Sequence, residues 1–119
     1  MASIKGIFGA LAAISGNEWM LLSNESGSTG LEACFGFEFN TAEVDGVCFM
    51  LRAENAPEPT ATLFLAMDGA GNFEYHDMKT GECGGRMLAI KTICAIGVDA
   101  GQATAALGVL EGLMRLPED

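Results

Sequence analysis

The sequence predicts a single α+β domain, residues 1–119, built around an antiparallel sheet with a long C-terminal helix. Half of the 119 residues are apolar, which is enough to form one core. Short strand-like runs separated by turn residues fill much of the chain, and a long segment of helical periodicity follows them. Helices in the middle and at the end, with strands between them, indicate the α+β class.

The first 39 residues contain one clear strand and two ambiguous segments. Residues 7–14 are apolar on both faces of a strand, but an apolar stripe from Ile4 to Ile14 also has helical spacing. Residues 19–23 follow a turn and predict a strand, and residues 24–30 have the composition of a loop. Residues 31–39 alternate, with three phenylalanines on one side, and fit a strand or a helical turn.

Residues 40–52 predict a helix in the middle of the chain. Asn40 can cap it, with Glu43 placed three residues later as in a capping box. Apolar residues from Val44 to Leu51 fall at helical spacing, and the prolines of ENAPEP end the segment. The DGAG turn between residues 60–67 and 72–77 then predicts a hairpin.

The stretch RMLAIKTICAIGV predicts a further hairpin hinged at Lys91 and Thr92. A helical stripe through Met87 and Ile90 competes with this interpretation, but the β-branched residues and Gly97 favour strands.

The segment from Asp99 to Leu116 predicts a helix. Asp99 and Gln102 form a capping box at its start. One apolar stripe of this helix can pack on the sheet, and a second stripe, Val109, Leu113 and Leu116, needs another cover.

Composition excludes several classes of function. The formal net charge is −10, with sixteen acidic residues against six Lys and Arg, which argues against nucleic-acid and anionic-membrane binding. We find neither a membrane-spanning run nor a convincing signal peptide in the sequence. The four cysteines are widely spaced, which fits free thiols in a reducing, cytoplasmic compartment.

Chemistry-bearing motifs are scarce. The four cysteines lack C-x-x-C spacing, so we expect no zinc motif, and the DGAG segment is a turn rather than a calcium loop. Cys83 and His76 would make a nucleophile pair only if folding brought them together, and only a short loop in the sequence favours that. We therefore expect a protein that is not an enzyme and has no cofactor.

The order of these segments resembles the profilin family of actin-monomer-binding proteins. GALAAISGNEW resembles the first hairpin of that family, FNTAEV its middle-helix entry, NFEYHDMKTGECGG its strand and Gly-Gly turn, and KTICAIGVDAGQATAALGVLEGL its Lys-Thr hairpin and C-terminal helix. The resemblance covers roughly residues 8–114. It implies a central antiparallel sheet with helices on both faces, and a cytoplasmic, cytoskeleton-associated protein that regulates actin polymerisation.

The resemblance also implies two binding surfaces. The residues at positions matching the actin face are Lys79, Arg86, Lys91, Thr92, Gln102 and Thr104. Three of them are basic in an otherwise acidic chain, which suits steering of an acidic partner. The positions matching the site for proline-rich peptides are Trp19, Leu110, Leu113 and Met114.

The chain departs from the family at its N-terminus, where few residues precede the first strand on the hairpin interpretation. That departure weakens the proline-rich-peptide site and leaves the second stripe of the last helix bare, which predicts either a homodimer through the C-terminal helix or a different ligand there. The alternative function is a small acidic dimeric chaperone, similar to type III secretion chaperones, that holds an unfolded segment of a secreted effector against its sheet or helix.

Overall fold

The computed structural model describes residues 18–40 and 44–115, which form a six-stranded antiparallel sheet and two helices. The elements in chain order are β1 (Met20–Asn24), β2 (Gly27–Asn40), β3 (Val44–Ala53), β4 (Thr60–Asp68), β5 (Phe73–Asp77), β6 (Cys83–Gly84), α1 (Arg86–Cys94) and α2 (Ala100–Met114). Each strand pairs with the next, so the sheet is a meander. The predicted α+β class, the antiparallel sheet and the C-terminal helix are confirmed.

Both described helices pack on the same face of the sheet. Alternate residues of the strands, including Phe49, Leu63 and Leu65, form one buried cluster with Ile93 of α1 and the buried side of α2. The second layer of helix that the profilin resemblance places on the opposite face does not occur among residues 18–40 and 44–115. Residues 4–14, whose strand or helix character was left open, lie outside the described residues.

A bulge in β2 divides its phenylalanines between the two faces. Phe35 pairs with Phe49 and packs against the core, whereas Phe37 pairs with Cys48, and the register shifts between them. Gly36 is the extra residue, since an interior glycine tolerates the local bend of a bulge. The expectation that the phenylalanines share one side is therefore wrong for Phe35 and Phe37, although the strand alternative for residues 31–39 is confirmed.

The predicted helix over residues 40–52 is wrong, because Val44–Ala53 is the strand β3. This strand lies between β2 and β4 with both of its edges paired, and it is apolar on both faces. Val47, Phe49 and Leu51 enter the core while Cys48 is buried on the other face. A strand that is apolar on both faces loses the alternation that identifies strands, so its apolar residues also matched the helical spacing.

The predicted hairpin hinged at Lys91 and Thr92 is also wrong, because both residues lie inside α1. The buried residues of α1 are Ala89, Thr92 and Ile93, which have helical spacing. Gly97, taken above as evidence against a helix, adopts φ +98° just beyond the helix end, where a left-handed residue commonly terminates a helix. The hairpin of β4 and β5 and the strand β1 are confirmed.

Helix α2 begins as predicted. The Asp99 side chain accepts a hydrogen bond from the backbone N–H of Gln102, and the Gln102 side chain accepts one from the backbone N–H of Asp99. Val109 and Leu113 pack partly against the core, so the expectation that this stripe is bare is wrong for these two residues. Neither described helix is long and apolar enough to cross a membrane.

Candidate functional site

The face of the sheet opposite both described helices carries a row of side chains that crosses five strands. Register places Phe37 beside Cys48, Cys48 beside Phe64, Phe64 beside His76, and His76 beside Cys83. We call this side of the sheet the outer face. It is apolar near β2 and β3 and becomes polar toward β5 and β6.

The apolar part of the outer face is accessible. Phe37 keeps 47% of its surface exposed and Met50, on β3, keeps 36%. The Phe37 ring stacks on Phe64 with centroids 5.8 Å apart, and the exposed ring therefore rests on a buried one. Large apolar side chains held open on a sheet are typical of a surface that contacts another molecule.

The two thiols beneath this surface, those of Cys34 and Cys48, are buried and stay protonated at neutral pH, so they are weak nucleophiles. Cys34 and Cys48 are buried on the outer face. Burial, together with a smaller effect of the neighbouring Cys34 thiol, raises the pKa of Cys48 to about 11. Burial also raises the pKa of Cys34, against a smaller opposing effect of Arg52. Both side chains therefore act as small apolar groups under Phe37 and Met50.

Trp19 borders the outer face through Arg52. The Arg52 guanidinium lies 4.2 Å from the centroid of the Trp19 ring, and its Nε donates to Glu32 Oε1 at 2.8 Å. Trp19 is half-buried. Leu110 and Met114, which the profilin resemblance grouped with Trp19 in a site for proline-rich peptides, are fully buried in the core. These two side chains have no surface open to a ligand in this structure, and Leu113 packs partly against the core.

The three cations of the predicted actin face all have partners within the chain. Lys79 donates to the backbone oxygen of Thr60, and Arg86 forms an ion pair with the buried carboxylate of Glu111. Lys91 lies 3.9 Å from a carboxylate oxygen of Glu82. The positive charges of Arg86 and Lys91 are therefore matched within the protein, whereas Lys79 contacts only a neutral carbonyl group.

The polar residues of the same predicted face also have structural roles. Thr92 is buried and donates to the backbone oxygen of Leu88. Gln102 belongs to the capping box and donates to the backbone oxygen of Thr29 at 3.4 Å. Thr104 is exposed, and its hydroxyl donates to the backbone oxygen of Ala100. Thr92 therefore has almost no surface open to a partner, whereas Thr104 is accessible.

Three potential metal ligands converge at the polar end of the outer face. His76 and Cys83 are neighbours across β5 and β6, and Glu74 lies two residues before His76 on the same side of the strand. One donor atom from each residue lies within 4.8 Å of the other two. His76 Nε2 lies 2.8 Å from Glu74 Oε1, and Phe64 meets the imidazole edge to face, with centroids 5.7 Å apart.

Sequence reasoning singled out Cys83 and His76, and only the short loop between them favoured their coming together. The signal was the turn MKTGE, which makes β5 and β6 a hairpin and aligns residues 76 and 83. Met50 was missed because the pattern of residues 40–52 predicts a helix, and the exposed position of Phe37 was missed because simple alternation puts all three phenylalanines of residues 31–39 on one side. The signal there was Gly36, since an isolated glycine within a strand pattern indicates a bulge.

Comparison with known proteins gives no match: no family model, no curated protein and no solved structure corresponds to this chain. The profilin resemblance therefore stays a prediction.

Proposed function

We propose that the protein is a non-catalytic, chaperone-like binding protein whose outer face holds an apolar polypeptide segment flanked by Lys or Arg. The observation that carries this proposal is the exposure of Phe37 and Met50 on the face of the sheet opposite both described helices. An extended segment laid across this face would cover both side chains. Covering an exposed phenylalanine contributes roughly 1–2 kcal/mol, since part of its surface is already buried.

Charge complementarity supports basic flanks on the partner segment. The chain carries a net charge of −10. Each of the five cations among the described residues already contacts an acidic, carbonyl or aromatic group of the chain: Arg52, Lys79, Arg86, Lys91 and Arg115. Many acidic side chains are exposed, including Glu54, Glu58 and Glu74. A basic partner is therefore attracted over long range and an acidic one is repelled.

Fluorescence anisotropy with two labelled peptides tests the proposal. One peptide has an apolar, aromatic centre with lysines at each end, and the other has the same centre with glutamates. We expect saturable binding of the lysine-flanked peptide only, weakening as salt rises because the attraction between exposed charges is screened. Equal binding of the two peptides would count against a charge-selective site.

Matched variants locate the bound peptide. Phe37→Ser should weaken binding about tenfold, since it removes an apolar contact of roughly 1.4 kcal/mol. Met87→Ser is the control, because Met87 is a large apolar residue, 87% exposed, on α1 at the other side of the sheet. Binding that responds equally to both substitutions would show that the outer face is not the site.

Two other occupants of the outer face give distinguishable results. If a second copy of the chain occupies it, sedimentation shows a dimer that Phe37→Ser dissociates and the peptide does not bind. If the remainder of the same chain covers it, the peptide again fails to bind, and Phe37→Ser lowers the free energy of unfolding as a core substitution does. Either result would overturn the proposal of a partner segment.

Actin binding, which the profilin resemblance implies, has a separate measurement. Because Arg86 and Lys91 are paired with Glu111 and Glu82, we expect no slowing of pyrene-labelled actin polymerisation by the protein. A slowing that the charge reversal Lys91→Glu abolishes would support the actin-binding hypothesis in place of the chaperone-like one.

A further inference from the structure

We propose that Glu74, His76 and Cys83 bind a divalent transition metal ion, Zn²⁺ being the best match to their donor atoms. They offer one oxygen, one nitrogen and one sulfur ligand from three side chains on the outer face of β5 and β6. This site is independent of the peptide-binding function proposed for the apolar part of that face.

The donor set selects the class of metal. Thiolate and imidazole ligands prefer zinc, cobalt, nickel or copper, whereas magnesium and calcium require oxygen ligands. Three protein ligands with a fourth position open form the usual arrangement of an accessible zinc site. Glu74 and Cys83 are exposed, so the fourth position is open to water or to a donor from another molecule.

The distances require only small movements of the side chains. The donor atoms lie within 4.8 Å of one another, and tetrahedral zinc holds neighbouring donors roughly 3.3–3.7 Å apart, as its bond lengths dictate. His76 Nε2 and Glu74 Oε1, now 2.8 Å apart, would separate slightly as the ion takes the place of the proton between them. Rotation of exposed side chains achieves both changes without moving the strands.

The hairpin holds the ligands in position. The carboxylate of Asp77, next to His76, accepts hydrogen bonds from the backbone N–H groups of Lys79 and Thr80. The backbone N–H of Asp77 donates to the backbone oxygen of Glu82 at 2.9 Å, and this bond joins the ends of β5 and β6 next to the turn. Phe64 packs against the His76 ring. A site on paired strands loses less conformational entropy on binding than one on a loose loop.

The sheet geometry brings the three ligands together although they are spread over ten residues of sequence. Glu74 and His76 share a face because side chains of a strand alternate, and Cys83 joins them because it is the cross-strand partner of His76. The C-x-x-C and H-x-x-x-H patterns used to find zinc sites in sequences do not cover this arrangement. The net charge of −10 also favours binding of a cation.

Metal titration of the untagged full-length chain under a thiol-free reductant tests the proposal. We expect one Zn²⁺ per chain by calorimetry, unaffected by an excess of Mg²⁺ or Ca²⁺. Co²⁺ should give a thiolate-to-cobalt charge-transfer band and visible bands of tetrahedral intensity. Absence of the charge-transfer band, or Zn²⁺ binding displaced by Mg²⁺, would overturn the assignment.

Variants identify the ligands. Loss of a residue that only hydrogen-bonds a metal ligand weakens metal binding roughly 10–100-fold. We expect a larger loss of Zn²⁺ affinity when a ligand itself is replaced, as in Cys83→Ser, His76→Gln and Glu74→Gln. Cys94→Ser and Glu82→Gln are the matched controls, a thiol and a carboxylate outside the cluster, and should bind Zn²⁺ as the unmodified chain does. A Cys83→Ser chain that binds Zn²⁺ normally, or a Cys94→Ser chain that does not, would refute the proposed site.

Discussion

The hydroxyl of Tyr75 on β5 donates a hydrogen bond to the carboxylate of Glu111 on α2, and both residues are buried. The other oxygen of the same carboxylate forms the ion pair with Arg86 at the start of α1. One buried acidic side chain therefore connects the sheet to both helices. Burial raises the pKa of Tyr75, and the bond to Glu111 raises it further, so the hydroxyl remains a donor at neutral pH.

We predict that Tyr75→Phe lowers the free energy of unfolding by about 1.5–3 kcal/mol, because it removes a hydrogen bond to a charged group that stays buried. Urea unfolding measures the change. In a double-mutant cycle with Glu111→Gln, the two substitutions should couple by more than about 1 kcal/mol, since the residues are in contact. Additive effects would mean that the bond contributes nothing of its own.

The ion pair between Lys91 and Glu82 is the control for this network. Its atoms are 3.9 Å apart and both side chains are exposed. Exposed pairs contribute less than about 1 kcal/mol. Glu82→Gln should therefore leave stability almost unchanged, whereas Arg86→Met, which leaves the Glu111 carboxylate buried without its cation, should destabilise the protein clearly.

The second prediction concerns Cys48 and alkaline pH. The pKa of its thiol is raised from 9.0 to about 11 in the folded protein. Below pH 9 the thiol is protonated in both states, and between pH 9 and 11 the unfolded chain loses this proton while the folded one keeps it. Stability is therefore lost as pH rises through this window, by roughly 2–3 kcal/mol from this group.

Comparison of the unmodified chain with Cys48→Ala measures that contribution. Both proteins are unfolded in urea at pH 8 and at pH 11, and the alkaline loss of stability should be smaller in the variant. Cys83→Ala serves as the control, because it removes an exposed thiol and leaves the buried Cys48 thiol in place. Its alkaline loss of stability should match that of the unmodified chain. Identical pH dependence of the unmodified chain and Cys48→Ala would contradict the prediction.

The third prediction concerns the bulge that delivers Phe37 to the outer face. A Cβ atom at Gly36 would lie 3.1 Å from the backbone oxygen of Cys48, closer than a neighbouring strand tolerates without moving. Gly36→Ala should therefore cost about 1–3 kcal/mol, as overpacking does. Gly69→Ala, where nothing lies within 4 Å, should be close to neutral by the same thermal and urea measurements. Equal effects would mean that β3 adjusts freely.

The bulge and β3 also show where sequence reasoning succeeds and where it fails. The Asp99 and Gln102 capping box and the hairpin at Asp68 were predictable, because they depend on a few neighbouring residues. The face of Phe37 depends on the register of β2 against β3, which local patterns do not determine. Val44–Ala53 matched a helix because its residues are apolar on both sides of the strand.

The candidate sites were also hidden from sequence patterns, because they depend on the pairing of strands. Cys83 and His76 were noticed as reactive residues, but only strand pairing brings them together with Glu74. The cations of the predicted actin face lie near one another in the sequence, which suggests a basic surface. The fold instead pairs Arg86 with Glu111, 25 positions away, and sequence proximity gives no sign of that partner. Local patterns predict a helix cap and a tight turn, whereas partners across the sheet must come from the fold.

The last prediction tests the junction between β2 and α2. Gly30 has φ +79°, and a Cβ atom there would lie 2.6 Å from Gln102 Nε2, which donates to Thr29. Gly30→Ala therefore incurs about 1–2 kcal/mol of left-handed strain and also displaces Gln102 from the capping box. Gly27→Ala separates the two costs, because Gly27 has φ +117° with nothing within 4 Å.

We expect Gly30→Ala to be less stable than Gly27→Ala by up to about 1 kcal/mol, because the new Cβ moves the end of the Gln102 side chain while the Asp99 side chain still caps the helix. In a Gln102→Ala background that difference should disappear, because the side chain displaced by the new Cβ is no longer present. Urea unfolding of the four single and double variants measures both differences. If the excess cost of Gly30→Ala persists without Gln102, the strain lies in the backbone of β2, and the contact between strand and helix cap does not hold this junction together.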